Sequence, residues 1–305
     1  MLPHPGVTIE AMAESATSAS GAGPLDRAPS GGLVVGAIAS VQFGSALAAT
    51  LFRQLGPGDT VFLRLTSAAV ILLLIRRPSL RGRTRQELLL AGTFGVVLAA
   101  MNLSFYEALD RIPLGIAVTI EFVGPLTVAV MGSRRRTDRL WIVLAIAGIL
   151  ALTRGAVGGL NGLGIALALL AGGLWGTYIL LNARLGRAFE GSSGLTLAMC
   201  VAALAALPVG IAGGGRLLDP ASLALGSAVG VLSSVIPYSF ELEALRRISP
   251  PTFGVLMSLE PAIAALAGFL VLGQNLGARA LLGIALVVIA SVGASRSATA
   301  TPIAV

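Results

Sequence analysis

The chain has 305 residues, of which 55% are hydrophobic, 11% charged and 5% aromatic, with a net charge of +7. Soluble domains carry about 25% charged residues, so this composition excludes a soluble surface and points to a polytopic membrane protein; the mean hydropathy of +0.90 agrees. The basic excess does not point to nucleic acid: all 21 basic residues are arginines, most lie between apolar runs, and aromatic side chains for base stacking are scarce.

Residues 1–31 are rich in Ser, Ala, Gly and Pro and lack a sustained apolar period. They read as a disordered cytoplasmic tail, and not as a signal peptide, because a charged start and an apolar core are missing. Met12 is an alternative start. Ten apolar runs follow, each near the length that crosses a core of about 30 Å. They cover residues 32–52, 59–76, 87–108, 112–131, 139–154, 162–183, 192–213, 221–243, 250–272 and 277–295. Residues 296–305 read as a cytoplasmic C-terminal tail.

With both termini inside, the cytoplasmic segments hold Arg27, Arg76, Arg77, Arg81, Arg83, Arg85, Arg134, Arg135, Arg136, Arg139, Arg184, Arg187, Arg246, Arg247 and Arg296, which is 15 arginines. The opposite face holds five: Arg53, Arg111, Arg154, Arg216 and Arg279. The positive-inside rule fixes this orientation, and two tails on one side require an even number of spans. Glycine pairs at spacing four, Gly32 with Gly36 and Gly226 with Gly230, suggest close helix packing.

The segment 107–132 aligns without a gap on 243–268, at an offset of 136. Glu107, Arg111, Pro125 and Gly132 match Glu243, Arg247, Pro261 and Gly268. The repeat makes two halves, 32–155 and 162–295. Five spans per half is odd, so the second copy enters the membrane from the opposite side, as in many secondary transporters. The expected fold is therefore an all-α integral membrane protein with ten transmembrane helices in two inverted five-helix repeats.

Each half places a carboxyl beside a proline within a span. Glu121 precedes Pro125 by four residues, and Glu260 directly precedes Pro261. An ionisable group at the bilayer centre costs about 2.5–3.5 kcal/mol on insertion scales. A proline leaves the carbonyl one turn earlier unbonded. Such segments line a cavity or an interface, not lipid. A cavity carboxylate can bind a substrate ammonium, take up a proton, or exchange one for the other. The bland alternative is a protonated acid joining two helices. Arg64 either snorkels to the outer interface or faces a substrate carboxylate. Glu107, Glu241 and Glu243 lie near helix ends and read as interfacial.

Uncharged polar residues share helix faces: Trp175, Tyr178 and Asn182 on span 6, Gln42 and Ser45 on span 1, Asn102 and Tyr106 on span 3, Ser234 and Tyr238 on span 8. They line a wet path or join helices. The only histidine is His4 and the only cysteine Cys200, so no metal centre, disulfide or cofactor site is expected. "GGLNGLG" (158–164) lacks the strand–turn–helix context of a nucleotide loop and reads as a flexible turn. With no lysine there is no ATP-binding P-loop.

"PLGIAVTIEFVGPL" and "TFGVLMSLEPA", supported by "ALAATLF", "LRL" around Arg64 and "GLWGTYIL", resemble the EamA family of the drug/metabolite transporter superfamily over residues 33–295. The resemblance implies a central cavity and export of small metabolites, above all amino acids such as threonine and homoserine. It implies proton antiport by alternating access in a bacterial cytoplasmic membrane. It places Glu121, Pro125, Glu260 and Pro261 on family motif positions. Where the family often has Gly-Glu after helix 9, this chain has Gly273–Gln274. The expected partners are a small-molecule substrate and the lipid bilayer. Efflux of drug-like or aromatic solutes is the alternative within transport; a membrane enzyme on lipid-linked substrates is the alternative class.

Overall fold

A computed structural model describes residues 28–76, 78, 82–131, 140–141, 143–144, 146–148 and 161–299. The elements are Ser30–Leu55 (α1), Pro57–Arg76 (α2), Arg85–Leu109 (α3), Leu114–Glu121 (α4), Val123–Met131 (α5), Gly162–Ala188 (α6), Ser193–Gly213 (α7), Pro220–Gly230 (α8), Ile236–Arg247 (α9), Pro250–Leu256 (α10), Glu260–Leu272 (α11) and Ala278–Thr299 (α12). The described residues between 140 and 148 are helical as well. Among the described residues there is no strand. Residues 1–27 and 300–305 of the expected tails, and the arginine cluster 134–139, lie outside the described residues, as does most of the expected fifth span. Residues 296–299, expected in the tail, form the end of α12.

Seven helical runs among the described residues are long and apolar enough to cross a membrane, and two shorter apolar helices, Leu114–Val128 and Ala278–Ala290, accompany them. The surface is that of a lipid-facing protein: Leu74, Ile211 and Leu270 are exposed by 71%, 71% and 60%, while Gln42, Arg64, Asn102, Glu121, Glu241 and Glu260 are buried. The chain is thus a multi-pass membrane protein, all-helical in its described part.

Local chemistry sets the helix ends. Thr84 and Glu87 form a reciprocal capping box at the start of α3. Asn161 accepts from the Gly164 amide at 3.0 Å and caps α6, so the end of the supposed flexible glycine turn is the first turn of a helix. Asp219 caps α8, with Pro220 in its first turn. The prolines mark the breaks. Pro125 cannot bond to the carbonyl of Glu121, and the span parts into α4 and α5 at Phe122. Before Pro261 the helix tightens into a 3-10 turn, Met257–Leu259. Pro237 stands behind a π turn, Val231–Val235, that joins α8 to α9; this third break was not anticipated from the sequence.

α3 packs on α6 and α7; α2 packs on α7 and α8; α1 packs on α9, α11 and the π turn. α4 packs on α11 and α5 on α10, and both α4 and α5 lie against α6. Small residues permit the closest approaches. A Cβ at Gly172 would lie 2.5 Å from the Glu121 carbonyl oxygen, and one at Gly124 would strike the Gly172 carbonyl. Gly226 meets Leu63 and Gly230 meets the Arg64 carbonyl, so that glycine pair does seat a neighbouring helix. Gly36 meets Phe240, whereas Gly32 meets only Pro29 of its own segment.

Gly172→Val is expected to destabilise the protein by about 1–3 kcal/mol through overpacking, while Gly173→Val, with nothing within 4 Å of its Cβ position, is expected to be neutral. Thermal unfolding of the two variants in detergent checks the difference.

Candidate functional site

α1, α2, α3, α4, α6, α9 and α11 converge on a cavity of about 50 Å³. On that measure one water needs about 10–15 Å³, so the space holds a few waters. Gln42, Arg64, Asn102, Glu121, Trp175, Tyr238 and Glu260, seven of the eight expected binding or coupling residues, line it. The eighth, Tyr178, stands behind the wall and donates its hydroxyl to Glu241 Oε2 at 2.8 Å. Asn182 Nδ2 donates to the same hydroxyl at 3.1 Å, while Trp175 of the same face lines the cavity. Pro125 and Pro261 lie beside Glu121 and Glu260 in the broken spans.

Arg64 does not snorkel. It is 2% exposed. Its Nε donates to Ser234 Oγ at 2.8 Å, Nη1 to Tyr106 Oη at 3.0 Å and Nη2 to Tyr238 Oη at 3.1 Å. Nη2 also donates to the Ser233 carbonyl. That carbonyl is free because Pro237, four residues on, has no N–H to offer it. Tyr106 and Tyr238 also present ring faces to the guanidinium, at 5.2 and 5.8 Å. Asn102 Nδ2 donates to Tyr238 Oη at 3.0 Å and to the Leu98 carbonyl at 2.8 Å. The Tyr238 hydroxyl therefore has both lone pairs in use.

Three carboxyls share the cavity. Glu260 Oε1 accepts from Gln42 Nε2 at 2.7 Å, while Glu260 Oε2 and Gln42 Oε1 are buried with no protein partner. Arg64 acts electrostatically on Glu121 and on Glu241. Glu260 feels those two acids. Glu241 corrects the interfacial reading: it is 3% exposed and faces the cavity. The helix-end reading does hold for Glu107, which pairs with Arg111 at 2.6 Å, and for Glu243, which pairs with Arg247 at 2.7 Å. Glu241 was legible in one respect, since it follows Tyr238 by three residues on the same helix face. Gln274 Oε1 accepts from the Leu114 amide at 3.1 Å, so this uncharged residue serves as a polar cap on the start of α4.

Among the described residues no group of His, Cys, Asp and Glu could hold a metal ion. A fixed guanidinium facing several carboxyls suits binding and proton exchange.

The EamA-like transporter family model matches residues 162–296. The threonine/homoserine exporter RhtA of Escherichia coli (strain K12) is 41% identical over 263 residues, covering 85% of this chain and 88% of its own. The chain belongs to the EamA-like transporter family. RhtA of Salmonella typhimurium (strain LT2) is 40% identical over the same length and coverage. A solved crystal structure aligns with a TM-score of 0.63 at 18% identity, over 88% of this chain and 96% of its own, and shows the shared fold. This EamA-like protein is a transporter, not an enzyme, and the buried polar cavity is where its helices meet.

Arg64→Leu is expected to destabilise the transporter by about 3–5 kcal/mol, because buried acids lose their compensating cation. Ser234→Ala, which removes one charge-assisted bond, should cost about 1.5–3 kcal/mol. Denaturation midpoints of the purified variants check the ranking.

Proposed function

We propose that the chain is a secondary exporter of small amino acids, threonine and homoserine foremost, in a bacterial cytoplasmic membrane. The observation that carries this reading is the charge pattern of the cavity: one fixed guanidinium, Arg64, in a space shared with Glu121, Glu241 and Glu260. A zwitterion has two ends of opposite charge, and this pattern complements both. Arg64 would meet the substrate carboxylate. The RhtA relatives, named as threonine/homoserine exporters, point to the same class. The narrow cavity favours a small solute over a drug-like or aromatic one.

Glu260 is the acid to assign to proton exchange. Arg64 acts favourably on Glu121 and Glu241, though one charge can balance only one of them, whereas Glu260 has only the Gln42 amide as a hydrogen-bond partner, and its Oε2 lacks a protein partner. An uncompensated buried carboxylate is costly. It must be neutralised by a proton or by a substrate ammonium, and not by both at once. Arrival of one expels the other, which is antiport at a single carboxyl.

Alternating access needs two related halves. Ten helices in two inverted repeats, 32–155 and 162–295, fit the packing. α3 meets α6 as α9 and the π turn meet α1, and α3 meets α7 as α8 and the π turn meet α2. Glu107–Arg111 and Glu243–Arg247 are ion pairs at aligned positions. The hydrogen bond between Asn102 and Tyr238 joins residues 136 apart, which is the repeat offset. A residue that touches its own counterpart lies on the two-fold axis relating the copies. The halves would rock about this axis near the midplane. The arginine count supports both termini in the cytoplasm.

In cells lacking their own exporters, expression of the chain is expected to speed efflux of threonine and homoserine. In proteoliposomes, Glu260→Gln is expected to abolish efflux driven by a pH gradient while insertion and abundance stay normal. Ordinary proton-driven efflux in that variant would rule out Glu260 as the exchange site, and no stimulated efflux of either amino acid by the unmodified chain would rule out these substrates.

A further inference from the structure

Proton exchange at Glu260 leaves Glu241 without a task. Glu241 is buried, yet it is anchored in a way that Glu260 is not. Tyr178 is fully buried, its ring stacked on Phe94 at 5.1 Å and tilted against Tyr238 at 5.6 Å. Its hydroxyl accepts from Asn182 and has a single hydrogen, which goes to Glu241 Oε2. The direction of the relay is therefore set, and Glu241 stands at its end as an acceptor. Among the described residues none donates to its other oxygen, Oε1, and Glu241 lines the cavity. The aligned position 136 residues earlier is Phe105, which also lines the cavity. The cavity is thus polarised, with an acid on α9 where the other half presents an apolar ring.

We propose that Glu241, positioned by Tyr178 and Asn182, is the amine-selecting subsite of the transporter, holding the substrate's α-ammonium through its free oxygen. This rests on the exporter reading and divides the labour within it. An ammonium has three N–H donors, enough to bond Glu241 and to displace the proton on Glu260 Oε2. Glu241 is the permanent half of the amine site and sets affinity. Glu260 is the exchanging half and sets coupling. The titratable or charged groups that share this environment are Arg64, Glu121, Glu260, Tyr106 and Tyr238, and Arg64 offsets Glu241 in charge. Substrates are therefore compounds with a primary ammonium beside a small polar body; hydroxy acids of the same shape bind more weakly.

The test is homoserine counterflow in proteoliposomes carrying the full chain, with homoserine and its 2-hydroxy analogue as competitors. For the wild type the analogue is expected to compete about tenfold or more weakly, the effect of losing about 1.4 kcal/mol of binding. Glu241→Gln is expected to raise the KM for homoserine about tenfold or more, to erase the discrimination between the two competitors, and to leave the pH profile of the maximal rate in place. Tyr178→Phe keeps the acid but frees it, and is expected to raise KM by a smaller factor. An unchanged KM in Glu241→Gln, or an effect confined to the maximal rate, would overturn the subsite. So would a wild type that accepts the hydroxy analogue as well as homoserine, a result that needs no variant to fold. Absence of wild-type counterflow would sink the exporter reading and this subsite with it; wild-type counterflow with an unaltered Glu241→Gln KM would sink the subsite alone.

Discussion

The guanidinium of Arg64 on the carbonyl of Ser233 is the contact on which the interior depends. A buried cation is tolerated only when its donors are met. Most of the partners come from one short stretch, "SSVIPYSF" (233–240). Pro237 releases the Ser233 carbonyl, the π turn carries Ser233 and Ser234 past the guanidinium, and Tyr238 follows on the next turn. Tyr106 on α3 adds a fourth residue. One charge thereby ties α2, α3 and α9 together at the centre of the protein. The helix irregularity is what makes this possible, because a regular helix would have kept that carbonyl for itself.

A fixed charge of this kind also limits what can move. Arginine does not lose its proton in proteins, so Arg64 contributes a constant +1 in every state of the transport cycle. Variation is left to the carboxyls. Two of the three lie in the field of Arg64, and the third, Glu260, lies in the field of the other two. One guanidinium against three carboxyls leaves two acids in surplus, and under the proposed function that surplus is the basis for exchanging a proton against an ammonium.

Much of this was legible along the chain. The face formed by Trp175, Tyr178 and Asn182 follows from spacing alone, and the acid–proline pairs flagged α4, α5 and α11. What escaped depended on partners far away in sequence. Arg64 looked close to an interface because its span was expected to begin at 59. α2 begins at Pro57, which sets Arg64 about 10 Å down the helix at 1.5 Å per residue, and most of its acceptors lie about 170 residues further on, as with Ser234. Glu241 was misplaced for a related reason. The expected span ended at 243, whereas α9 continues to Arg247, and four further residues move Glu241 from the rim to the cavity. The proline within "SSVIPYSF" was the available signal for the missing acceptor.

The three-residue stagger between Glu121 and Glu260 also has a steric cause. The position aligned with Glu260 is Gly124, and any Cβ there would run into the carbonyl of Gly172. Gly172 in turn faces the Glu121 carbonyl, and Gly176 faces Gly124. The seam of α4 and α5 with α6 is therefore closed by backbone against backbone, and the acid of that half sits one turn earlier. The corresponding seam, α1 with α11, is bridged by side chains, Gln42 and Glu260. Under the proposed exchange the two seams respond to different events. A proton or ammonium at Glu260 alters the α1–α11 seam directly, since it changes the very hydrogen bond that bridges the helices. The contacts that close the glycine seam are backbone to backbone, and titration does not change them directly. On the proposed two-repeat reading the halves share a path of the chain but not a trigger, and that asymmetry would give the transporter a means of coupling one side of its motion to the proton.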